Sequence, residues 1–111
     1  MSLTFSEYAE AAGRTAVYPN RGNNLIYPTL GLCGESGEVA EKVKKVLRDA
    51  DGKVSDAVRE ALVLELGDAL WYVAAVAFEL GVTMEDVAER NKAKLASRQA
   101  REKLKGSGDE R

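Results

Sequence analysis

The chain of 111 residues has no histidine, a single cysteine and two prolines, and each shortage narrows what it can be. Without histidine, Cys–His chemistry and zinc sites of the usual type are excluded. One thiol, Cys33, cannot staple a fold, and it fits a reducing cytosol better than a secreted disulfide scaffold; its economical role is that of a small buried apolar residue. Charge of one sign is also missing. The 16 basic and 18 acidic residues leave a formal charge of -2, so no cationic field advertises a nucleic-acid polymer as partner. The opening stretch from Met1 to Ala16 carries Glu7 and Glu10 amid short apolar segments, unlike a signal peptide. The longest apolar run, Ala69 to Phe78, is too short to span a bilayer. No strand alternation, repeat or linker is visible. A soluble, cytoplasmic, single-domain protein without a membrane partner is expected over residues 1–105, with a polar, flexible tail over 106–111.

What is present is helix. Thr4 with Glu7 is a capping-box signature opening a helix to about Ala16. Tyr18 to Pro28, with both prolines, three asparagines and a glycine, reads as a loop. A long helix is predicted from Pro28 or Thr29 to about Arg48, with Lys42, Lys44, Lys45 and Arg48 near its end, where positive charge complements the helix dipole. Asp49 to Val54 forms a turn around Asp51-Gly52. A third helix runs from about Ser55 to Leu80 and stops at Gly81. Thr83 and Asp86 cap a fourth that continues to about Lys103. The fold class is all-α, a four-helix bundle.

Within those helices stand two acidic pairs, Glu35-x-x-Glu38 and Glu65-x-x-Asp68. Residues three apart share a helix face, and both pairs are set in apolar sequence: Leu32, Val39 and Val43 around the first, Leu62, Leu66 and Leu70 around the second. Four carboxylates on faces otherwise bound for a core repel one another and resist desolvation. A hard divalent cation between them resolves the conflict, and Mg²⁺ in particular bridges carboxylates to substrate phosphates. Gly31, Gly34 and Gly37 recur every third residue beside the first pair, at about 1 kcal/mol each relative to alanine, and Gly67 accompanies the second. They permit either close helix packing or space for a metal and ligand, and the two readings are compatible.

The runs Gly31-Leu32-Cys33-Gly34-Glu35-Ser36-Gly37-Glu38 and Glu65-Leu66-Gly67-Asp68-Ala69-Leu70-Trp71-Tyr72 strongly resemble the MazG-like branch of the all-α nucleoside triphosphate pyrophosphohydrolases. That superfamily is marked by an E-x-x-E helix followed by an E-x-x-D helix. Asn91-Lys92-Ala93-Lys94-Leu95-Ala96-Ser97-Arg98 is similar to its last helix, and Glu7-Tyr8 with Arg14-Thr15-Ala16 to its first. The resemblance implies that Glu35, Glu38, Glu65 and Asp68 bind Mg²⁺, with Mn²⁺ as a substitute, and that a nucleoside triphosphate is split into a monophosphate and pyrophosphate, a reaction suited to clearing nucleotide pools. Glu38 is the candidate for orienting the attacking water, although Gly34 stands where some relatives carry a further glutamate. Asn91 and Lys94 are candidates to touch the nucleotide. Arg98 either steadies a phosphate or carboxylate or belongs to a solvated basic face. Tyr72, four residues after Asp68, is placed to meet sugar or base; Trp71 reads as core packing, with stacking or interface roles as alternatives. Lys42 either counters the phosphates or offsets the acids, and Glu41 is either a spare ligand or, as its spacing favours, the salt-bridge partner of Lys45.

The third helix carries apolar residues nearly all round, too many for one stripe. It implies self-association, and the resemblance points to a dimer or tetramer with sites near subunit interfaces. The competing reading is a non-catalytic, metal-binding helical oligomerisation module; pyrophosphate release separates the two.

Overall fold

The structure, a computed structural model, describes residues 2–101. It contains four helices, α1 (Phe5–Gly13), α2 (Ile26–Asp49), α3 (Asp56–Leu80) and α4 (Met84–Ala100), and no strand among the described residues. Both expected capping boxes form: Thr4 with Glu7 opens α1 and Thr83 with Asp86 opens α4. Ser55 accepts from the Val58 amide at the start of α3, and Gly81 ends that helix in the left-handed conformation at φ 73°, where glycine carries no Cβ penalty.

The boundaries shift for local reasons. α1 stops at Gly13 rather than reaching Ala16, because Thr15 and Ala16 fold back in tight turns onto the Ala12 and Gly13 carbonyls. α2 starts two residues ahead of Pro28. Pro28 then falls in the first turn, where its missing N–H is not needed by the helix, and Asn24 Oδ1 accepts the Tyr27 amide at 3.1 Å. α4 ends at Ala100; Lys103 and the 106–111 tail lie outside the described residues.

α2 and α3 form an antiparallel hairpin closed by a turn in which Asp51 and Gly52 both have positive φ. The buried and half-buried positions of α2 include Pro28, Leu32, Glu35, Val39, Lys42 and Val46, alternating steps of four and three that make a single seam. The register is constant along it. Gly31 faces Tyr72, Glu35 faces Asp68, and Lys42 and Ala61 line one recess near the turn. α1 lies across the other side of α3, where Tyr8, Ala9 and Val73 pack around a cluster of Ala74, Ala77 and Met84. Ser6 joins α1 to α4 by donating from its amide and hydroxyl to Glu85.

This core is small-sided and incomplete. Leu30 is 67% exposed, Val63 54%, Leu64 62% and Leu66 57%, so a large apolar surface of the hairpin is uncovered in the single chain. The apolar run Ala69–Phe78 lies within α3, which is long and apolar enough to cross a membrane by length and composition alone, an 18-residue stretch of it having a mean hydropathy of 1.7, because the two central charges interrupt the apolar sequence without outweighing it. Those charges, Glu65 and Asp68, face α2, and ionised groups in the middle of a lipid-facing helix are costly.

Candidate metal centre

The α2–α3 seam brings Glu35, Glu65 and Asp68 together. One carboxylate oxygen from each lies within 4.8 Å of the others. Glu35 and Glu65 are half-buried while Asp68 is exposed, so the cluster opens from the seam toward solvent. Glu35 occupies a position that a leucine or valine fills elsewhere along the same stripe. The cost of that choice shows in its protonation: burial, then the charges of Asp68, Glu65 and Glu38, push its carboxyl above the ordinary value. The ion pairs Arg14–Glu10, Lys44–Glu41 and Arg48–Asp49 involve none of these three acids. Three converging carboxylates, two of them held partly out of water, fit a hard divalent ion bound through oxygen. Glu38 is exposed and stands outside the triangle, near enough for its charge to act on Glu35.

Aromatic residues border the acids. Tyr72 sits one turn beyond Asp68 with its ring directly against Gly31: a Cβ there would overlap the ring, approaching Cζ at 2.5 Å and Cδ1 at 2.6 Å. Gly31 is therefore a close-packing glycine. Gly34, Gly37 and Gly67 have nothing within 4 Å of an added Cβ and leave open space beside the carboxylates. Burial, Tyr27, Glu35 and Asp68 raise the Tyr72 phenol. Trp71 meets Tyr72 edge-on at 4.9 Å and donates its indole N–H to Thr15 Oγ at 2.9 Å, which ties α3 to the end of α1. That anchoring agrees with a packing role.

Several expectations change. Cys33 is exposed, not buried, because it lies on the side of α2 that α3 does not cover. Glu41 pairs with Lys44 at 3.0 Å instead of Lys45; both lysines are within one turn, and the i,i+3 rotamer wins. Lys42 is half-buried in the recess near the turn with Val46 and Ala61, one turn past Glu38. Asn91 and Lys94 are exposed on α4, which packs on α1 and α3 and not on α2. Arg98 is 7% exposed and so does not belong to a solvated basic face.

Two neighbours of the site were given no role in it from sequence. Tyr8 on α1 is half-buried, and its phenol is raised first by burial and then by Asp68, which places α1 beside the acids. Glu79, near the end of α3, accepts three hydrogen bonds from the loop before α2. A lone carboxylate in the apolar run Val73–Leu80, on the stripe that carries Glu65 and Tyr72, was the available signal. A cavity of about 250 Å³ lies between α1, α3 and the start of α4. It is lined by Arg21, Trp71 and Phe78 among others, and none of the three clustered acids borders it.

An all-α hairpin with E-x-x-E on one helix and E-x-x-D on the next defines a class, and comparison with known proteins agrees. The MazG nucleotide pyrophosphohydrolase domain matches residues 27–101, and the chain belongs to that family. The Gene 37 protein of Mycobacterium phage L5 is 49% identical over 109 residues, covering 94% of this chain and 96% of that protein; its name states no activity. No solved structure matches.

Proposed function

We propose that this protein is a Mg²⁺-dependent nucleoside triphosphate pyrophosphohydrolase that releases a nucleoside monophosphate and pyrophosphate. The observation that carries the reading is the triangle of Glu35, Glu65 and Asp68 in the hairpin seam, in a chain of the MazG nucleotide pyrophosphohydrolase family. Mg²⁺, or Mn²⁺ in its place, would supply charge neutralisation of the polyphosphate and an ordered, more acidic water. Glu35, Glu65 and Asp68 hold the ion. Glu38, exposed beside them, accepts the proton of the attacking water as it adds to the α-phosphorus and the bond to the β-phosphate oxygen breaks. Positioning and charge stabilisation dominate such reactions, and the acids supply both. Tyr72 contacts the nucleoside, and Lys42 adds positive charge at the phosphate end.

The working unit is a homo-oligomer, a dimer or tetramer. The uncovered leucines and valines of the hairpin support this, since a soluble monomer rarely exposes apolar patches beyond a few hundred Å². Asn91 and Lys94, exposed on α4, touch the nucleotide, while the buried Arg98 steadies a phosphate or carboxylate. The setting is cytoplasmic and the role is removal of surplus or non-standard nucleotides.

The test is a panel of nucleoside triphosphates incubated with Mg²⁺ or with EDTA in H₂¹⁸O. Pyrophosphate should appear only with the metal, and the label should enter the monophosphate. Diphosphate as first product would reject attack at the α-phosphorus. Metal binding with no turnover on any triphosphate would favour the non-catalytic module.

A further inference from the structure

The segment from Tyr18 to Leu25 has no regular structure, yet it is tied to one side chain. Glu79 Oε2 accepts from the Tyr18 hydroxyl at 2.5 Å and from the Gly22 amide at 2.8 Å, and Oε1 accepts from the Asn24 amide at 2.8 Å. Gly22 has φ 94°, a conformation that turns its N–H toward the carboxylate and suits glycine. Asn24 extends the clasp in both directions, donating from Nδ2 to the Pro19 carbonyl at 2.8 Å and capping the first turn of α2 through the Tyr27 amide. Tyr18, itself buried, stacks on Tyr27 at 5.2 Å with the rings 11° from parallel. Arg21 covers the Phe78 ring at 3.9 Å, so the neighbouring α3 residue holds the same loop.

The consequence reaches the acids. The hairpin is closed covalently at one end by the turn at Asp51-Gly52; at the other end Glu79 fastens the start of α2 to the end of α3. Tyr27, backed by Tyr18 and 46% exposed, lies one turn of α2 before Gly31, on which Tyr72 packs, and Gly31 is itself one turn before Glu35. An exposed aromatic ring with rigid backing beside a polyphosphate site offers a stacking surface for a nucleobase. We propose that Glu79 is a positioning residue for substrate: it fixes the 18–25 loop and with it the first turn of α2, so that Tyr27, near Tyr72, forms the wall that receives the nucleoside. The proposal rests on the functional reading above. It assigns Glu79 to substrate binding and not to the metal, whose ligands lie in the seam.

The experiment compares wild type, Glu79→Gln and Tyr18→Phe. The glutamine keeps the size of the side chain but offers one acceptor oxygen and an amide group that cannot accept from the loop N–H groups. Steady-state hydrolysis and Mn²⁺ binding, followed by the electron paramagnetic resonance of free Mn²⁺, are measured on each. Glu79→Gln should raise KM by about ten-fold or more while kcat changes less than about three-fold, the pattern of lost binding common to ground and transition states. Its Mn²⁺ affinity should match wild type. Tyr18→Phe, which loses one of the three hydrogen bonds and keeps the ring, should raise KM by a smaller factor. An active wild type with unchanged KM in Glu79→Gln overturns the proposal, as does a joint fall of kcat and Mn²⁺ affinity, which marks a general structural role. If Glu79→Gln does not fold, Tyr18→Phe decides: an unchanged KM there overturns it. A wild type inactive on every triphosphate overturns the functional reading itself and this role with it.

Discussion

Gly31→Ala separates the four glycines around the acids by a margin the structure sets. At Gly31 the new Cβ would approach Tyr72 Cζ at 2.5 Å and Cδ1 at 2.6 Å, whereas carbon atoms rest at about 3.5–4.0 Å. The ring must therefore retreat by about 1 Å or α2 must lift from α3. Overpacking of this kind costs about 1–3 kcal/mol. Replacing a mid-helix glycine by alanine returns about 1 kcal/mol of helix propensity, so the net expected loss is about 0–2 kcal/mol. Gly34→Ala and Gly37→Ala meet nothing within 4 Å and keep the full propensity gain of about 1 kcal/mol unless a second copy lies against them. Gly31→Ala should then fall below Gly34→Ala by about 1–3 kcal/mol, or roughly 4–20 °C in Tm for a domain of this size. Because the displaced ring is Tyr72, Gly31→Ala should also weaken triphosphate hydrolysis more than its stability loss explains. Urea unfolding beside pyrophosphate release reads both. A Gly31→Ala protein as stable as Gly34→Ala and fully active would show that Tyr72 is not held against α2 as described.

Asp68→Asn and Glu35→Gln should each lower turnover by more than the roughly 10–100-fold typical of losing a supporting partner, and the metal-free proteins should be at least as stable as wild type because like-charge repulsion is relieved; wild-type rates at saturating Mg²⁺ would reject the ligand assignment. Tyr18 should be the last tyrosine to ionise, since burial and then the Glu79 carboxylate push its phenol from 10.0 to about 12. A folded pKa above the unfolded one means that its stabilising contribution is complete below pH 10 and is lost as pH rises toward 12; ultraviolet titration of Tyr18→Phe should lack the highest tyrosinate step, and retention of that step would refute the assignment. Leu66→Asp, at a position 57% exposed in the single chain, should dissociate the oligomer and lower activity together, and a fully active monomer by light scattering would end the assembly reading.

How much of this was legible in the sequence depends on whether the signal was local. Caps are local, and Thr4, Ser55, Thr83 and Gly81 place helix ends within a few residues. The acidic pairs were legible because Glu35 and Glu65 interrupt seam positions that otherwise read as apolar. Pairwise choices inside a turn were not: Lys44 and Lys45 offer Glu41 nearly equal geometry, and only rotamer packing selects Lys44. The Glu79 clasp was hidden for a different reason. Its three donors, at Tyr18, Gly22 and Asn24, lie more than fifty residues away along the chain, and two of them are backbone amides that no side-chain pattern reveals.

The exposure of Cys33 belongs with that of Leu30, Val63, Leu66 and Leu70 rather than standing as a separate error. Within one chain, α3 spends one face on α2 through the acid seam and another on α1 through alanines; the third carries Val63, Leu66, Gly67 and Leu70 without cover. On α2 the outward side reads Ile26, Leu30, Cys33 and Gly37, again uncovered. An inward reading of Cys33 from sequence thus anticipates a buried environment that one copy does not supply. Under the proposed assembly a second copy supplies it, and the exposed Asp68 carboxylate gains a rim from which water is partly excluded. Charges interact more strongly as water is removed, so the proposed oligomerisation would strengthen the hold of Glu35, Glu65 and Asp68 on a cation while covering the leucines beside them. Assembly and metal affinity should accordingly rise and fall together, and the small residues at Gly34, Gly37 and Gly67 are where a partner helix can approach without filling the space that the substrate phosphates need.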